Sequence, residues 1–173
     1  PKPQRPMSLP VPKDVSDQVH IDLLEEWDCQ GARYYIVHMI DHASRFQMGQ
    51  VLPNKSTASV VNFIKTRWLP VFGPPRVMVA DQGKEFVSWE FEQLCSENSI
   101  LLWHCAVQAP WQNGLCERGG GILRAIMGAI IKSKSVIGPH EMDMALQEAI
   151  TAYNHDVNEA GERPAQAAPG KAA

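Results

Sequence analysis

Three strand-like segments follow one another near the start of the chain before any helical pattern appears. Residues 19–24 are mostly apolar with one acid among them, and residues 33–41 are rich in β-branched and aromatic side chains. Residues 46–53 have the pattern of a third strand, and residues 28–31 have the length of a hairpin turn. Three strands in succession predict an antiparallel meander at the start of a mixed sheet.

Helical and strand patterns alternate through the rest of the chain. Apolar residues recur at helical spacing after Ser56, a predicted N-cap, and Pro70 with Gly73 predicts the helix end. A strand is predicted at 76–80, a helix at 88–98, a strand at 100–107, and two longer helices at about 115–134 and 139–157. The order β-β-β-α-β-α-β-α-α predicts an α/β domain with a mixed five-stranded sheet and helices on both faces.

The composition is that of one globular domain. The 173 residues are 45% hydrophobic and 20% charged, a balance typical of a folded chain. The proline-rich residues 1–17 predict an extended linker or arm, 18–158 the folded core, and 159–173 a tail. No apolar run has membrane-spanning length, and no secretion signal is evident. The four cysteines include no CxxC pair, which favours an intracellular, reduced protein without zinc.

Three acidic residues lie at positions where a carboxylate calls for a structural or functional explanation. Asp22 lies inside the first strand, Asp81 directly follows the strand at 76–80, and Glu117 lies near the start of a long helix. Taken singly, such acids are most often caps or turn residues. Together they suit a divalent cation, which removes the cost of burying carboxylates, and oxygen ligands select Mg²⁺ or Mn²⁺. The net charge of −3 argues against a protein that binds nucleic acid by charge alone, so a metal ion would have to hold the phosphates.

Two motifs surround the second and third acids. Asp81 opens DQGKEF, Glu117 lies in PWQNGLCER, and 35 residues separate the two acids. With DHASRF at 41–46, these motifs resemble the catalytic core of retroviral-type integrases, most closely those of gypsy-type LTR retrotransposons. The resemblance extends from about residue 5 to residue 171 and rests on a highly specific combination of motifs.

The resemblance implies a ribonuclease-H-like fold and a DDE-type integrase. Asp22, Asp81 and Glu117 would be the catalytic residues and the ligands of two Mg²⁺ or Mn²⁺ ions when DNA is bound. The implied activity is 3′-end processing and DNA strand transfer by in-line phosphodiester displacement. The implied partners are double-stranded DNA, as element end and as target, and a second copy of the core. The place of action would be the nucleus if the host is eukaryotic.

Candidate DNA contacts lie beside Glu117. By resemblance, Trp111, Gln112 and Asn113 belong to a flexible active-site loop, where the ring offers a stacking face and the amides offer hydrogen bonds. The other interpretation is a plain connecting loop with the ring in the core. Arg118 and Arg124 follow on the helix, and Arg124, seven residues after Glu117, falls near the same helix face. For the later Lys132 and Lys134, a solvated helix face explains the charge as well.

Gly119–Gly121 depart from the family pattern. Each glycine inside a helix costs about 1 kcal/mol relative to alanine, which predicts weaker support for Glu117. A second hypothesis is therefore a catalytically weak or inactive scaffold that dimerises and binds DNA or a partner. By resemblance, the helices at 57–71 and 140–154 would pair two cores. The apolar residues Trp68, Met142, Leu146 and Ile150 would supply that surface or belong to the ordinary core. His38 and His42 are expected in core packing or a polar turn.

Overall fold

The computed structural model describes residues 11–105, 114–156 and Pro164. Its strands are β1 (Gln18–Trp27), β2 (Arg33–Asp41), β3 (Gln47–Leu52), β4 (Val77–Ala80) and β5 (Leu101–His104). Its helices are α1 (Thr57–Phe63), α2 (Leu69–Phe72), α3 (Trp89–Glu97), α4 (Gly114–Lys134) and α5 (Gly138–His155). The predicted order of strands and helices is confirmed, with β1 three residues longer at its end than the sequence pattern indicates.

The five strands form one sheet in the order β3-β2-β1-β4-β5. The β1–β2 and β2–β3 pairs are antiparallel, whereas the β1–β4 and β4–β5 pairs are parallel. The predicted mixed sheet is therefore confirmed. The helices divide between its two faces, because one hydrophobic core joins the sheet to α1 and α3, and a second joins it to α4 and α5.

The two faces of the sheet differ in polarity. Val19, Ile21, Val37 and Met39 alternate along β1 and β2 and point into the core under α1 and α3. The residues between them point to the opposite face, under α4 and α5. That face carries most of the buried or half-buried polar residues of the sheet, namely Gln18, His20, Asp22, His38 and Gln47. The face under α4 and α5 is therefore the more polar of the two.

Carboxylates organise the two hairpin turns. In the predicted turn at 28–31, Asp28 accepts hydrogen bonds from the Gln30 and Ala32 N–H groups, at 2.9 and 3.0 Å. In the DHASRF motif, the fully buried Asp41 accepts from the Ser44 N–H and hydroxyl, both at 2.7 Å. Asp41 also accepts from the Ser16 N–H at 2.8 Å, which ties the chain before β1 to the sheet. The acid and serine of this motif therefore have a structural role.

The helix predicted after Ser56 contains a change of helical type. Ser56 is the N-cap of α1 and accepts from the Ser59 N–H, as predicted. A π-helical segment (Ile64–Trp68) then leads into α2, and Gly73, at φ +71°, ends the helix rather than Pro70. Because proline has no N–H to donate, a wider turn just before Pro70 is a natural accommodation. Within the described parts of the chain, no helix is long and apolar enough to span a membrane.

Candidate active site

Asp22 lies on β1, and Asp81 directly follows β4, the neighbouring parallel strand. The β1–β4 register ends with the pair His20–Val79, and Asp22 and Asp81 each follow that pair by two residues. Adjacent strands lie about 4.8 Å apart. Since Ile21 points into the core under α1 and α3, Asp22 points to the polar face of the sheet. The charge of Asp81 acts both on Asp22 and on Cys116 of α4.

The environment of Asp22 disfavours its charge. Burial raises the pKa of Asp22 to about 6. The Leu23 N–H, which donates to the Asp22 carboxylate at 2.8 Å, lowers this pKa and so opposes the rise. The negative charge of Asp81 raises this pKa further, the positive charge of Arg124 lowers it, and Glu117 raises it. Asp22 therefore interacts electrostatically with both other predicted acids. A nearby positive charge stabilises the ionised form of such a carboxyl group.

Glu117 lies at the rim of this cluster. It is exposed in the first turn of α4, whereas the preceding Cys116 is completely buried. Burial raises the pKa of the Cys116 thiol, and Asp22, Asp81 and Glu117 add to the rise. Among residues 11–105 and 114–156, no three His, Cys, Asp or Glu side chains are close enough together to hold a metal ion. The structure thus brings two acids together and leaves the third within electrostatic range.

The backbone after Asp81 is shaped around carboxylates. The Gly83 N–H donates to Asp81 Oδ1 at 2.8 Å. A Cβ at Gly83 would lie 2.9 Å from Asp81 Oδ1 and 3.1 Å from Glu85 Oε2. The Lys55 ammonium lies 3.9 Å from Glu85 Oε1. Glycine in the DQGKEF motif therefore leaves room for two acidic side chains, and Lys55 partly offsets the second charge.

Two of the three glycines after Glu117 are explained by close packing against the sheet, which the sequence alone does not reveal. A Cβ at Gly119 would lie 2.9 Å from both Gln47 Nε2 and Ile40 Cδ1, and one at Gly120 would lie 3.1 Å from Leu24 Cδ2. Gly121 has no such neighbour within 4 Å. Two of the three glycines let α4 approach the sheet closely. The expectation that they weaken the support of Glu117 does not account for this close packing.

This difference predicts opposite effects for two identical substitutions. Gly121→Ala should raise the free energy of unfolding by about 0.5–1 kcal/mol, because alanine is the better helix former and the site is open. Gly119→Ala should lower it by about 1–3 kcal/mol, because the new methyl group overpacks the interface with Gln47. Urea denaturation of both variants tests this. Equal shifts in the same direction would show that α4 tolerates side chains on its sheet-facing side.

The candidate DNA contacts are only partly visible. Trp111, Gln112 and Asn113 lie outside the described residues. Arg118 and Arg124 are exposed on α4. The charge of Arg124 acts on Asp22 and also on Glu26, whose pKa burial raises. Glu117, Gly121 and Arg124 thus form a stripe along α4 at the edge of the acidic cluster. Further along, Lys134 forms an ion pair with Glu148.

The predicted dimer residues belong to the core. Trp68, Met142 and Leu146 are completely buried, and Ile150 is 7% exposed. Of the two interpretations left open by the sequence, ordinary core packing is therefore correct for these four side chains. Any pairing of two cores through these helices would have to use other residues.

A family profile described as the integrase core domain matches residues 13–110, more than half of the chain. The chain belongs to the integrase core domain family. The integrase core is also 23% identical to the Pro-Pol polyprotein of feline foamy virus over 130 residues, which cover 75% of this chain and 11% of that protein. It therefore spans about a tenth of the length of that curated relative.

Solved structures share the fold of this integrase core. One is the simian T-cell lymphotropic virus intasome in complex with the PP2A regulatory subunit B56 gamma. Its TM-score is 0.82 at 19% identity, with 95% of this chain and 59% of that chain covered. Another is the HTLV-2 integrase catalytic core domain in complex with magnesium, in a trimeric form. Its TM-score is 0.74 at 18% identity, with 90% and 97% covered. The predicted ribonuclease-H-like fold and the predicted integrase family are confirmed, whereas the closeness to gypsy-type retrotransposons stays a prediction.

Proposed function

We propose that this chain is the catalytic core of a retroelement integrase, a metal-dependent polynucleotidyl transferase for 3′-end processing and DNA strand transfer. The observation that supports this most is that Asp22 on β1 and Asp81 at the end of the adjacent β4 interact electrostatically, together with Glu117 of α4. The integrase family fits this activity, and the HTLV-2 core contains magnesium. In this proposal, residues 18–158 form the catalytic core, 1–17 a linker and 159–173 a tail.

The donor set fits hard divalent cations. All three proposed ligands are carboxylates, which suit Mg²⁺ or Mn²⁺, and burial together with the charges of Asp81 and Glu117 raises the pKa of Asp22. When bound, two such ions activate the attacking oxygen and stabilise the leaving oxygen of a phosphodiester. Asp22 and Asp81 provide the rigid part of the site, because Asp22 is on β1 and Asp81, directly after β4, accepts from the Gly83 N–H. Glu117 is the adjustable part, because it is exposed on a helix.

DNA would approach the exposed rim of the site. We propose that Arg118 and Arg124 contact phosphates and that Trp111, Gln112 and Asn113 contact DNA next to the scissile bond. The partners would be double-stranded DNA, as element end and target, and a second core. The proposed place of action is intracellular, and nuclear in a eukaryotic host, where the target DNA is.

One observation favours a second function. No three described metal-binding side chains converge, and Glu117 is exposed. A scaffold that has lost catalysis but still dimerises and binds DNA or a partner would show the same features. This scaffold predicts DNA binding that does not respond to divalent ions.

An oligonucleotide assay distinguishes the two functions. The protein is incubated with a labelled blunt-ended duplex, with a target duplex, and with millimolar Mn²⁺ or with EDTA. The integrase function predicts 3′-trimmed or joined products that form only with Mn²⁺. Duplex binding without any metal-dependent product, at protein concentrations that saturate the DNA, would favour the scaffold.

Arg124 provides a more specific prediction. Arg124→Gln should weaken duplex binding and reduce the salt dependence of binding by about one released counterion, because one phosphate contact is lost. Lys132→Gln removes the same charge from the same helix, two turns further on, and should change both quantities less. Fluorescence anisotropy at several salt concentrations measures the slopes. Equal slopes for wild type and Arg124→Gln would remove Arg124 from the DNA interface.

A further inference from the structure

A closed circuit of buried hydrogen bonds surrounds the turn of α4 that carries Glu117. His38 Nε2 lies 2.7 Å from Gln47 Oε1, and the Gln47 amide donates to the Gly119 carbonyl at 3.3 Å. Cys116 Sγ lies 3.7 Å from His38 Nδ1. The circuit therefore leaves α4 at Cys116, crosses β2 and β3, and returns to α4 at Gly119. Glu117 lies between its two ends.

The directions of these hydrogen bonds follow from chemistry. The Gln47 side-chain oxygen can only accept, so His38 must carry its proton on Nε2 and donate it. Nδ1 is then an acceptor, which suits the S–H group of Cys116. Burial lowers the pKa of His38 to about 4, so the ring stays neutral at physiological pH. Every side chain in the circuit thus has its donor and acceptor matched.

The circuit is rigid and adjoins the acidic cluster. His38, Gln47 and Cys116 are completely buried. In the β1–β2 register His38 is the direct partner of Asp22, so one residue faces both the acid and the circuit. Asn154 of α5 fixes the backbone of Gln47 from the other side, donating to its carbonyl and accepting from its N–H, both at 2.8 Å. A buried network with all groups satisfied favours a single arrangement.

Gly119 is required for this arrangement. Because a Cβ there would lie 2.9 Å from Gln47 Nε2, any other residue would displace the amide from the Gly119 carbonyl. The hydrogen bond from Gln47 therefore depends on the glycine at position 119. Both residue types are unusual at their positions, since helices disfavour glycine and core strand faces disfavour glutamine.

We propose that His38 and Gln47 are positioning residues that hold the first turns of α4, and with them Glu117, in place beside Asp22. This inference rests on the proposed metal-dependent function of the three acids. The circuit holds the Cys116 side chain before Glu117 and the Gly119 carbonyl after it, while the Glu117 carboxylate itself stays exposed. Glu117 can then meet a metal ion by side-chain rotation alone, without movement of the helix.

The test compares two glutamine substitutions on the same strand. Gln47→Met keeps the length of the side chain but removes both hydrogen bonds. Gln50→Met is the control, because Gln50 is an odd number of residues away, on the opposite face, and its Oε1 has no partner in the described structure. Hydrogen–deuterium exchange of peptides covering 115–123 should rise about tenfold in Gln47→Met and stay unchanged in Gln50→Met. Mn²⁺ affinity of Gln47→Met should fall about tenfold, as for other residues that orient metal ligands.

A second pair of variants provides the test if Gln47→Met folds poorly. Cys116→Ser retains a donor for His38 and should behave like wild type, whereas Cys116→Ala should show the faster exchange. Unchanged exchange in folded Gln47→Met and Cys116→Ala would overturn the inference, as would faster exchange with unchanged Mn²⁺ affinity. Absence of Mn²⁺ binding in wild type would instead contradict the proposed function. In that case the exchange result alone decides whether the circuit holds α4.

Discussion

Asp81→Asn should abolish metal-dependent DNA joining, with a loss of roughly a thousandfold, about 4 kcal/mol of transition-state stabilisation. The amide cannot supply the negative charge that a divalent cation requires. The fold should persist, because an asparagine oxygen can still accept the Gly83 N–H that Asp81 accepts at 2.8 Å. Product formation is measured on oligonucleotides with Mn²⁺, alongside a urea denaturation curve.

Glu90→Gln is the matched control for Asp81→Asn. Glu90 is an exposed acid in the first turn of α3, so its substitution removes the same charge away from the proposed site. Its activity should stay within about twofold of wild type. Comparable activity of Asp81→Asn and wild type, with both proteins folded, would show that Asp81 has no role in the chemistry.

Asp22→Asn should make the metal-free protein more stable at neutral pH, by up to about 3 kcal/mol. The pKa of Asp22 rises from its ordinary value of 3.8 to about 6 on folding, mainly because of burial. Between these values the folded state holds a proton that the unfolded state has released, so the stability of wild type falls as pH rises from 4 to 6. Above pH 6 the penalty is complete, and asparagine never incurs it.

The measurement is the difference in unfolding free energy between Asp22→Asn and wild type, in EDTA, at several pH values. His38 makes the stability change with pH in the opposite direction, because burial lowers its pKa from 6.5 to about 4. Both proteins contain His38, so its contribution cancels in the difference between them. The difference should be near zero below pH 4 and reach its maximum above pH 6. Mn²⁺ should then stabilise wild type but not the variant. A difference that is flat across this range would contradict the electrostatic description of Asp22.

The architecture could be predicted because local patterns were unambiguous. The meander, the helix cap at Ser56 and the order of strands and helices all follow from short-range chemistry. The change to π-helix before Pro70 could not be predicted, because the apolar spacing is compatible with a regular helix. Whether Trp68 and the apolar stripe on α5 lie in the core or at an interface could not be predicted either, because core and interface residues share one sequence pattern.

The acids of the proposed site stay a prediction from the sequence, and the residues that support them could not be predicted from it. Asp22 and Asp81 stand out because strand environments normally exclude acids. Gln47 and Gly119 are 72 residues apart, and their contact depends on packing that no local signal encodes. A signal did exist, because His38 and Gln47 are polar on a buried strand face and Gly119 interrupts a helix. Only the structure shows that these exceptions explain one another.

The most direct test of the three-acid site is a crystal structure of this protein with Mn²⁺, using the anomalous signal of the metal. The account predicts Mn²⁺ between Asp22 and Asp81, with carboxylate oxygens about 2.0–2.2 Å away and the Glu117 side chain turned towards the metal. No anomalous peak at this place in millimolar Mn²⁺, or peaks only elsewhere on the surface, would contradict it.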